Sequence, residues 1–150
     1  MMKPGSIRVI SIGLFRRDEA ILVFDSFDAV KGLPIYRPLG GGVLPGETSE
    51  AALRREIREE LSQEVDALRL LGILESIFEY DGQAGHEIVF VYDAQFADAS
   101  LYARDTLNAY EEENGELFQA TWRPLTSFDD YHRLVPEGLA DLIARSASAH

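Results

Sequence analysis

Residues Gly41 to Gln63 read GGVLPGETSEAALRREIREELSQ and form the most distinctive stretch of the chain. The first half is rich in glycine and proline, which favour turns, and Gly40 lengthens the glycine run to three residues. The second half predicts a helix that Thr48 or Ser49 can cap and that runs to about Leu61. The helix carries an apolar stripe with a spacing of four residues, at Leu53, Ile57 and Leu61.

Three glutamates of the predicted helix, Glu56, Glu59 and Glu60, stand at positions i, i+3 and i+4. They share one side of the helix, where like charges repel each other by roughly 0.2–0.5 kcal/mol per pair. Arg55 can pair with Glu59 but cannot neutralise all three acids. A solvated acidic face would give the same spacing. The alternative is a site for a hard cation such as Mg²⁺, which takes carboxylate oxygens as ligands.

The rest of the chain alternates strand-like segments with turns and adds one more helix. Asp25–Leu33 and Asp98–Glu116 are polar and predict loops, whereas Pro136–Ala144 predicts a terminal helix with proline in its first turn. Hairpin-linked strands combined with two helices predict an α+β fold, such as a mixed-sheet sandwich. The predicted extended segments are Ile7–Phe15, Ala20–Phe24, Pro34–Leu39, Leu70–Tyr80, Glu87–Phe96 and Phe118–Arg123.

Length, composition and charge narrow the class of protein. The 150 residues suffice for one domain with a substantial core. The chain has no cysteine, which excludes disulfides, thiolate metal sites and a cysteine nucleophile. The net charge of −12 argues against binding to a nucleic-acid duplex or to an anionic membrane surface. Without an apolar run of 18 residues or a signal-peptide pattern, we expect a cytoplasmic protein.

The stretch from Gly41 to Gln63 resembles the Nudix box, G-x5-E-x7-R-E-U-x-E-E-x-G-U, where U is a bulky aliphatic residue. The chain departs from it at Ser62, in place of a glycine that normally serves the turn after the helix, and at Gln63. The resemblance implies a MutT-like Nudix hydrolase. Its fold would be an α/β/α sandwich with a mixed β-sheet, in one domain over residues 1–150 with about 6–145 ordered. The matching positions are Gly41, Glu47, Arg55, Glu56, Ile57, Glu59 and Glu60.

The resemblance also implies roles for the residues of the box. Glu56 and Glu60 would ligate a divalent cation, Mg²⁺ or Mn²⁺, and Glu59 would contribute a ligand or act as the base. The carbonyl of Gly40 or Gly41 would complete the coordination. Gly41 and Glu47 would have a structural role in the box. Glu47 and Arg55 would orient the glycine segment and the first helical glutamate.

The activity implied by the resemblance is hydrolysis of the pyrophosphate bond of a nucleoside diphosphate linked to a group X. We expect Arg37, Gly41 and Gly42 to contact this nucleotide-type substrate. The general base is a helix glutamate or an acid of the later acidic stretch, where Glu112 is preferred over Glu111, Glu113 and Glu116. The alternative is a Nudix-fold module that binds a nucleotide without cleaving it. Members of the family commonly dimerise, so a homodimer is compatible with the resemblance.

Aromatic side chains on the predicted strands can serve either as core residues or as surfaces on which a nucleobase stacks. Core packing is the more common role for aromatic residues in strands. The aromatic candidates for base stacking are Tyr36, Phe78, Tyr80, Tyr92 and Trp122.

Overall fold

A computed structural model describes residues 5–110 and 115–148 of the chain. Its strands form one eight-stranded sheet, accompanied by two α-helices and two short 3₁₀ segments, Ala99–Ala103 and Leu125–Ser127. The helices are α1 (Ser49–Leu61) and α2 (Leu139–Ser148). The strands are β1 (Arg8–Arg17), β2 (Ala20–Asp28), β3 (Leu33–Gly42), β4 (Val65–Tyr80), β5 (Gln83–Phe96), β6 (Thr106–Tyr110), β7 (Leu117–Pro124) and β8 (Arg133–Leu134).

The sheet is mixed, as predicted. Its strand order is β4-β5-β1-β3-β2-β7-β6, and β8 adds to β3 outside this path. The pairs β1–β5 and β3–β8 are parallel, whereas the other neighbours are antiparallel. Strand β3 lies at the centre, and it is the strand that leads into α1. The segment from Gly41 to Gln63 therefore begins in the middle of the sheet.

Two hydrophobic cores lie on opposite faces of the sheet, one under each helix. Strand β5 shows why: Tyr92 and Ala94 join the core under α1, whereas Val89 and Val91 join the core under α2. Because successive strand residues point to opposite faces, a central strand covered on both sides is apolar throughout. The predicted α/β/α sandwich is confirmed.

Helix α1 begins and ends where the sequence predicts. The side chain of Thr48 accepts a hydrogen bond from the Ala51 amide and caps the first turn. Leu53, Ile57 and Leu61 are buried in the core, so the apolar stripe fixes which side of the helix faces the sheet. Glu56, Glu59 and Glu60 lie on the other sides of the helix, where their side chains are partly exposed.

Several predictions of local structure were wrong, most of them because segments distant in sequence pair with each other. Residues 25–28 extend β2 because they pair with β3 across the following turn, so the predicted loop Asp25–Leu33 is shorter. The polar stretch Asp98–Glu116 contains strand β6, which pairs with β7. Helix α2 starts at Leu139, three residues after Pro136. The glycine run, predicted as a loop, is the end of β3, where Gly40–Gly42 pair with β1.

The turn after α1 keeps the left-handed conformation for which the Nudix pattern uses glycine. Ser62 has φ 55° and ψ 38°, and its amide donates a hydrogen bond to the Arg58 carbonyl. The serine therefore preserves the backbone path at an energetic cost, since a side chain disfavours this region by roughly 1 kcal/mol.

We expect Ser62→Gly to raise the free energy of unfolding by about 0.5–1 kcal/mol, and the Tm by about 2–4 °C, because the strain is removed. Urea unfolding followed by circular dichroism measures the change. Ser146→Gly, inside helix α2, is the control and should destabilise the protein by a similar amount. Equal destabilisation by both variants would contradict the interpretation of Ser62.

Candidate active site

Arg55 lies at the centre of the site and uses all five of its N–H donors. Nε and Nη2 bind the two carboxylate oxygens of Glu47 at 2.8 and 3.0 Å. Nη1 donates to Glu56 at 2.9 Å and to Glu59 at 3.2 Å. The second Nη2 contact is the Gly42 carbonyl, at 2.8 Å. We call this set the Arg55 network. It joins the end of β3, the loop before α1 and two turns of α1.

The Arg55 network also changes the acidity of its members. The hydrogen bond from Arg55, followed by that from the Leu44 amide, lowers the pKa of Glu47 below its ordinary value. In return, the hydrogen bond that Arg55 donates to Glu47 is the largest cause that raises the pKa of Arg55. Both residues therefore remain charged throughout the neutral range.

This lowered pKa predicts a pH dependence of stability. The stabilising contribution of ionised Glu47 is present above its ordinary pKa of 4.5 and is lost as the pH falls further through the lowered pKa. We expect the difference in unfolding free energy between the wild type and Glu47→Gln to be constant from pH 7 to about pH 5 and to shrink towards pH 3. Urea titrations across that range measure it. A gap that stays constant down to pH 3 would show that Glu47 does not titrate as described.

The glycines at the end of β3 leave space for two different neighbours. A Cβ at Gly41 would lie 2.5 Å from Glu56 Cδ, so the missing side chain is what lets the carboxylate approach the strand. A Cβ at Gly42 would lie 3.3 Å from Nη2 of Arg8. Gly40 has φ 144°, and a Cβ there would collide with the Ser11 carbonyl. Gly40 and Gly41 are therefore required for separate reasons, whereas a side chain at Gly42 would press on the end of the flexible Arg8 side chain.

We expect Gly41→Ala and Gly40→Ala to separate function from folding. In Gly41→Ala the added methyl meets only the flexible end of Glu56, so stability should change by less than about 1 kcal/mol while activity falls at least about tenfold. In Gly40→Ala the backbone collision should cost about 2 kcal/mol or more. Unfolding curves and hydrolysis rates of both variants check this. Wild-type activity in Gly41→Ala would contradict the close approach of Glu56.

The box residues fit a hard divalent cation by their chemistry, since their donors are all oxygens. Glu56 faces the bare α-carbon of Gly41, and Glu60 Oε1 is shielded from solvent. Within residues 5–110 and 115–148, no three acidic or histidine side chains already converge as a metal site. Glu56 and Glu59 both contact Nη1 of Arg55.

A cavity of about 550 Å³ lies between β2 and β3 on one side and β4, β5 and residues 128–140 on the other. Its volume suits a nucleotide-sized ligand. Arg37, predicted to contact substrate, lines it. Phe78 and Tyr80 line it as well, whereas the other aromatic candidates pack elsewhere: Tyr36 lies against Phe128 and Arg123, Tyr92 hydrogen-bonds Ser49, and Trp122 hydrogen-bonds the Arg104 carbonyl.

Two residues of the cavity, Arg8 and Glu87, were not singled out by the sequence analysis. Glu87 is only 4% exposed and forms a salt bridge with Arg37, with Nη2 and Oε1 3.6 Å apart. The sequence did contain one indication of Glu87, because this acid alternates with the apolar residues Val89 and Val91 and therefore shares a strand face with them. A lone acid in an apolar register is a candidate for a functional role. The preferred late base, Glu112, lies outside the described residues together with Glu111 and Glu113, whereas Glu116 is described immediately before β7.

The model of the NUDIX domain family matches residues 6–145. The chain belongs to the NUDIX family. With every carboxylate of the box retained, it is a Nudix pyrophosphohydrolase. Nudix hydrolases generally use divalent metal ions, which agrees with the all-oxygen donor set of this site.

Solved structures share the fold at low sequence identity. A MutT NUDIX hydrolase from Burkholderia pseudomallei is 24% identical, with a TM-score of 0.63 over 92% of this chain and 97% of that chain. The E. coli ORF135 protein is 20% identical, with a TM-score of 0.57 over 96% and 91%. An ADP compounds hydrolase is 16% identical, with a TM-score of 0.59 over 99% and 76%. No curated protein sequence matches the chain.

Proposed function

We propose that this Nudix protein hydrolyses the pyrophosphate bond of a nucleoside diphosphate linked to a group X, with Mg²⁺ or Mn²⁺ as the cation. The observation that carries the proposal is the Arg55 network, which binds three box glutamates and holds one of them, Glu56, against the bare α-carbon of Gly41. The cavity of about 550 Å³ supplies room for the nucleotide.

In this proposal, Glu56 and Glu60 hold the cation and the Gly40 carbonyl completes its coordination. When bound, the cation neutralises phosphate charge and makes the phosphorus easier to attack. Arg55 and Glu47 have a positioning role, since their hydrogen bonds fix Glu56 in front of Gly41. Fixed geometry lowers the barrier because no side chain must reorganise during the reaction.

Glu59 is the proposed general base among the described residues. Its side chain is 33% exposed, compared with 19% for Glu56 and 16% for Glu47, so it has the best access to a water molecule. Glu59 takes a proton from the water, whose oxygen attacks phosphorus while the P–O–P bridge breaks. The products are a nucleoside monophosphate and phosphorylated X. Glu112 is the second candidate for the base, in a segment outside the described residues.

A panel of nucleotides tests the proposal: a nucleotide sugar, ADP-ribose, an oxidised nucleoside triphosphate and a dinucleoside polyphosphate, each with and without Mg²⁺. We expect metal-dependent release of a nucleoside monophosphate that is lost in Glu60→Gln. Tight binding of one compound without cleavage of any would favour a nucleotide-binding module instead. Comparison of Glu59→Gln with Glu112→Gln then identifies the base, which should show the larger loss of kcat.

The setting of the reaction is also proposed as soluble and cytoplasmic, with a small nucleotide rather than a nucleic-acid duplex as the ligand. The net charge of −12 supports the exclusion of a duplex. In the part of the chain that the structure describes, no helix is both long enough and apolar enough to span a membrane.

A further inference from the structure

The cavity has a polar row across three neighbouring strands. In the register of the sheet, Glu87 on β5 stands opposite Ser76 on β4 and opposite Arg8 on β1. All three residues line the cavity. Directly opposed residues on neighbouring strands share a face of the sheet, so this row is part of the cavity wall. Arg37 reaches the same row from β3 through its salt bridge with Glu87.

Arg8 connects this row with the box. Its Nη2 lies 3.3 Å from the position that a Cβ of Gly42 would occupy. The carbonyl of the same glycine accepts a hydrogen bond from Arg55 on the other side. Arg8 is therefore a cavity residue whose guanidinium lies beside the end of β3 that contacts Arg55.

The net charge of the protein makes the position of Arg8 important for the binding of an anionic substrate. The protein carries a net charge of −12, which repels a polyphosphate at a distance. A substrate with several phosphate charges needs local cations, and guanidinium groups bind phosphate oxygens through paired N–H donors. Arg8 and Arg37 supply two such groups close to Glu87, which, like Asp28, is a buried acid in the cavity wall.

The contact between Glu87 and Arg37 can hold the Arg37 side chain in place without a close hydrogen bond. The distance between Nη2 and Oε1 is 3.6 Å, longer than the 2.7–2.9 Å typical of a charge-assisted hydrogen bond. The Arg37 side chain is 42% exposed, whereas that of Glu87 is 6% exposed. The buried acid therefore attracts the arginine without a close hydrogen bond, and the half-exposed Arg37 side chain lines the cavity.

We propose that Arg8 and Arg37 bind the phosphate groups of the substrate on the cavity side of the glycines, and that Glu87 is a positioning residue for Arg37. This rests on the proposed function, because it deepens the description of the same substrate site. The recognised chemistry is a diphosphate group, and the nucleoside or X extends past it into the apolar part of the cavity.

Calorimetric titration tests this without hydrolysis, using α,β-methylene-ADP as the probe in metal-free buffer and adenosine as the uncharged comparison. We expect Arg8→Gln and Arg37→Gln each to weaken binding of the probe about tenfold or more and to leave adenosine unaffected. Arg133→Gln is the matched control, since Arg133 also lines the cavity but stands apart from the Glu87 row. An equal loss in Arg133→Gln, or no measurable binding by the wild type, would overturn the proposal.

Glu87→Gln separates positioning from simple electrostatics. Removal of a negative charge near an anion should tighten binding, whereas loss of a positioning contact should weaken it. We expect binding of α,β-methylene-ADP to weaken several-fold while adenosine binding stays unchanged. Tighter binding of the probe, or an equal loss for adenosine, would overturn the positioning role. The assay needs neither metal nor turnover, so its failure is distinct from a failure of the hydrolase proposal.

Discussion

Glu56→Gln is expected to lower kcat for pyrophosphate hydrolysis by about 100-fold or more while the protein stays folded. Glutamine keeps the shape and one oxygen of the side chain but loses the charge that a divalent cation requires. It also loses the ion pair with Arg55, whose Nη1 lies 2.9 Å from Oε1. Initial rates over a range of Mg²⁺ concentrations measure the effect, together with the Tm of the variant.

The control for Glu56→Gln is Glu50→Gln, the same substitution on the same helix. Glu50 is 53% exposed in its side chain and pairs with Arg54, away from the Arg55 network. Its variant should keep wild-type rates and Mg²⁺ dependence, because exposed pairs of this kind contribute little. Equal rates for the two variants would remove Glu56 from the proposed metal site.

Sequence patterns predicted α1 well because the information for a helix is local. The cap at Thr48 and the spacing of Leu53, Ile57 and Leu61 lie within one stretch, and the structure confirms both, whereas the left-handed turn at Ser62 was left open by the sequence. The box glutamates are placed by the same helical periodicity. What periodicity could not show is the geometry of Arg55, whose five donors reach from Gly42 to Glu59.

The parts of the fold that the sequence did not predict depend on pairing between distant segments. Gly40–Gly42 look like a loop by composition but form a strand, because β1 offers them hydrogen-bond partners. The cavity is a stronger example, since Arg8, Arg37 and Glu87 come from three different strands. Nothing local distinguishes an arginine that meets a buried acid from one that meets solvent. The sequence singled out Arg37, but its contact with the buried Glu87 emerged only with the sheet.

Arg55→Lys is expected to be nearly as damaging as Arg55→Ala, because the site needs the geometry of the guanidinium as well as its charge. Lysine has three rotatable donors on one nitrogen and cannot bind Glu47 through two parallel hydrogen bonds. We expect both variants to lose about 2–3 kcal/mol of unfolding free energy, since three partly buried acids would then repel each other. Activity should fall by about 100-fold, as measured by kcat at saturating Mg²⁺.

The double variant Glu47→Gln with Arg55→Lys tests whether Arg55 acts on activity through Glu47. If Arg55 acts mainly by fixing Glu47 and the end of β3, the two single changes are not additive, and the double variant should be little worse than Arg55→Lys alone. Additive losses would mean that Arg55 and Glu47 act independently, despite contacts of 2.8 and 3.0 Å. Arg58→Lys is the matched control, because Arg58 is exposed, pairs with the exposed Glu64 and should tolerate lysine.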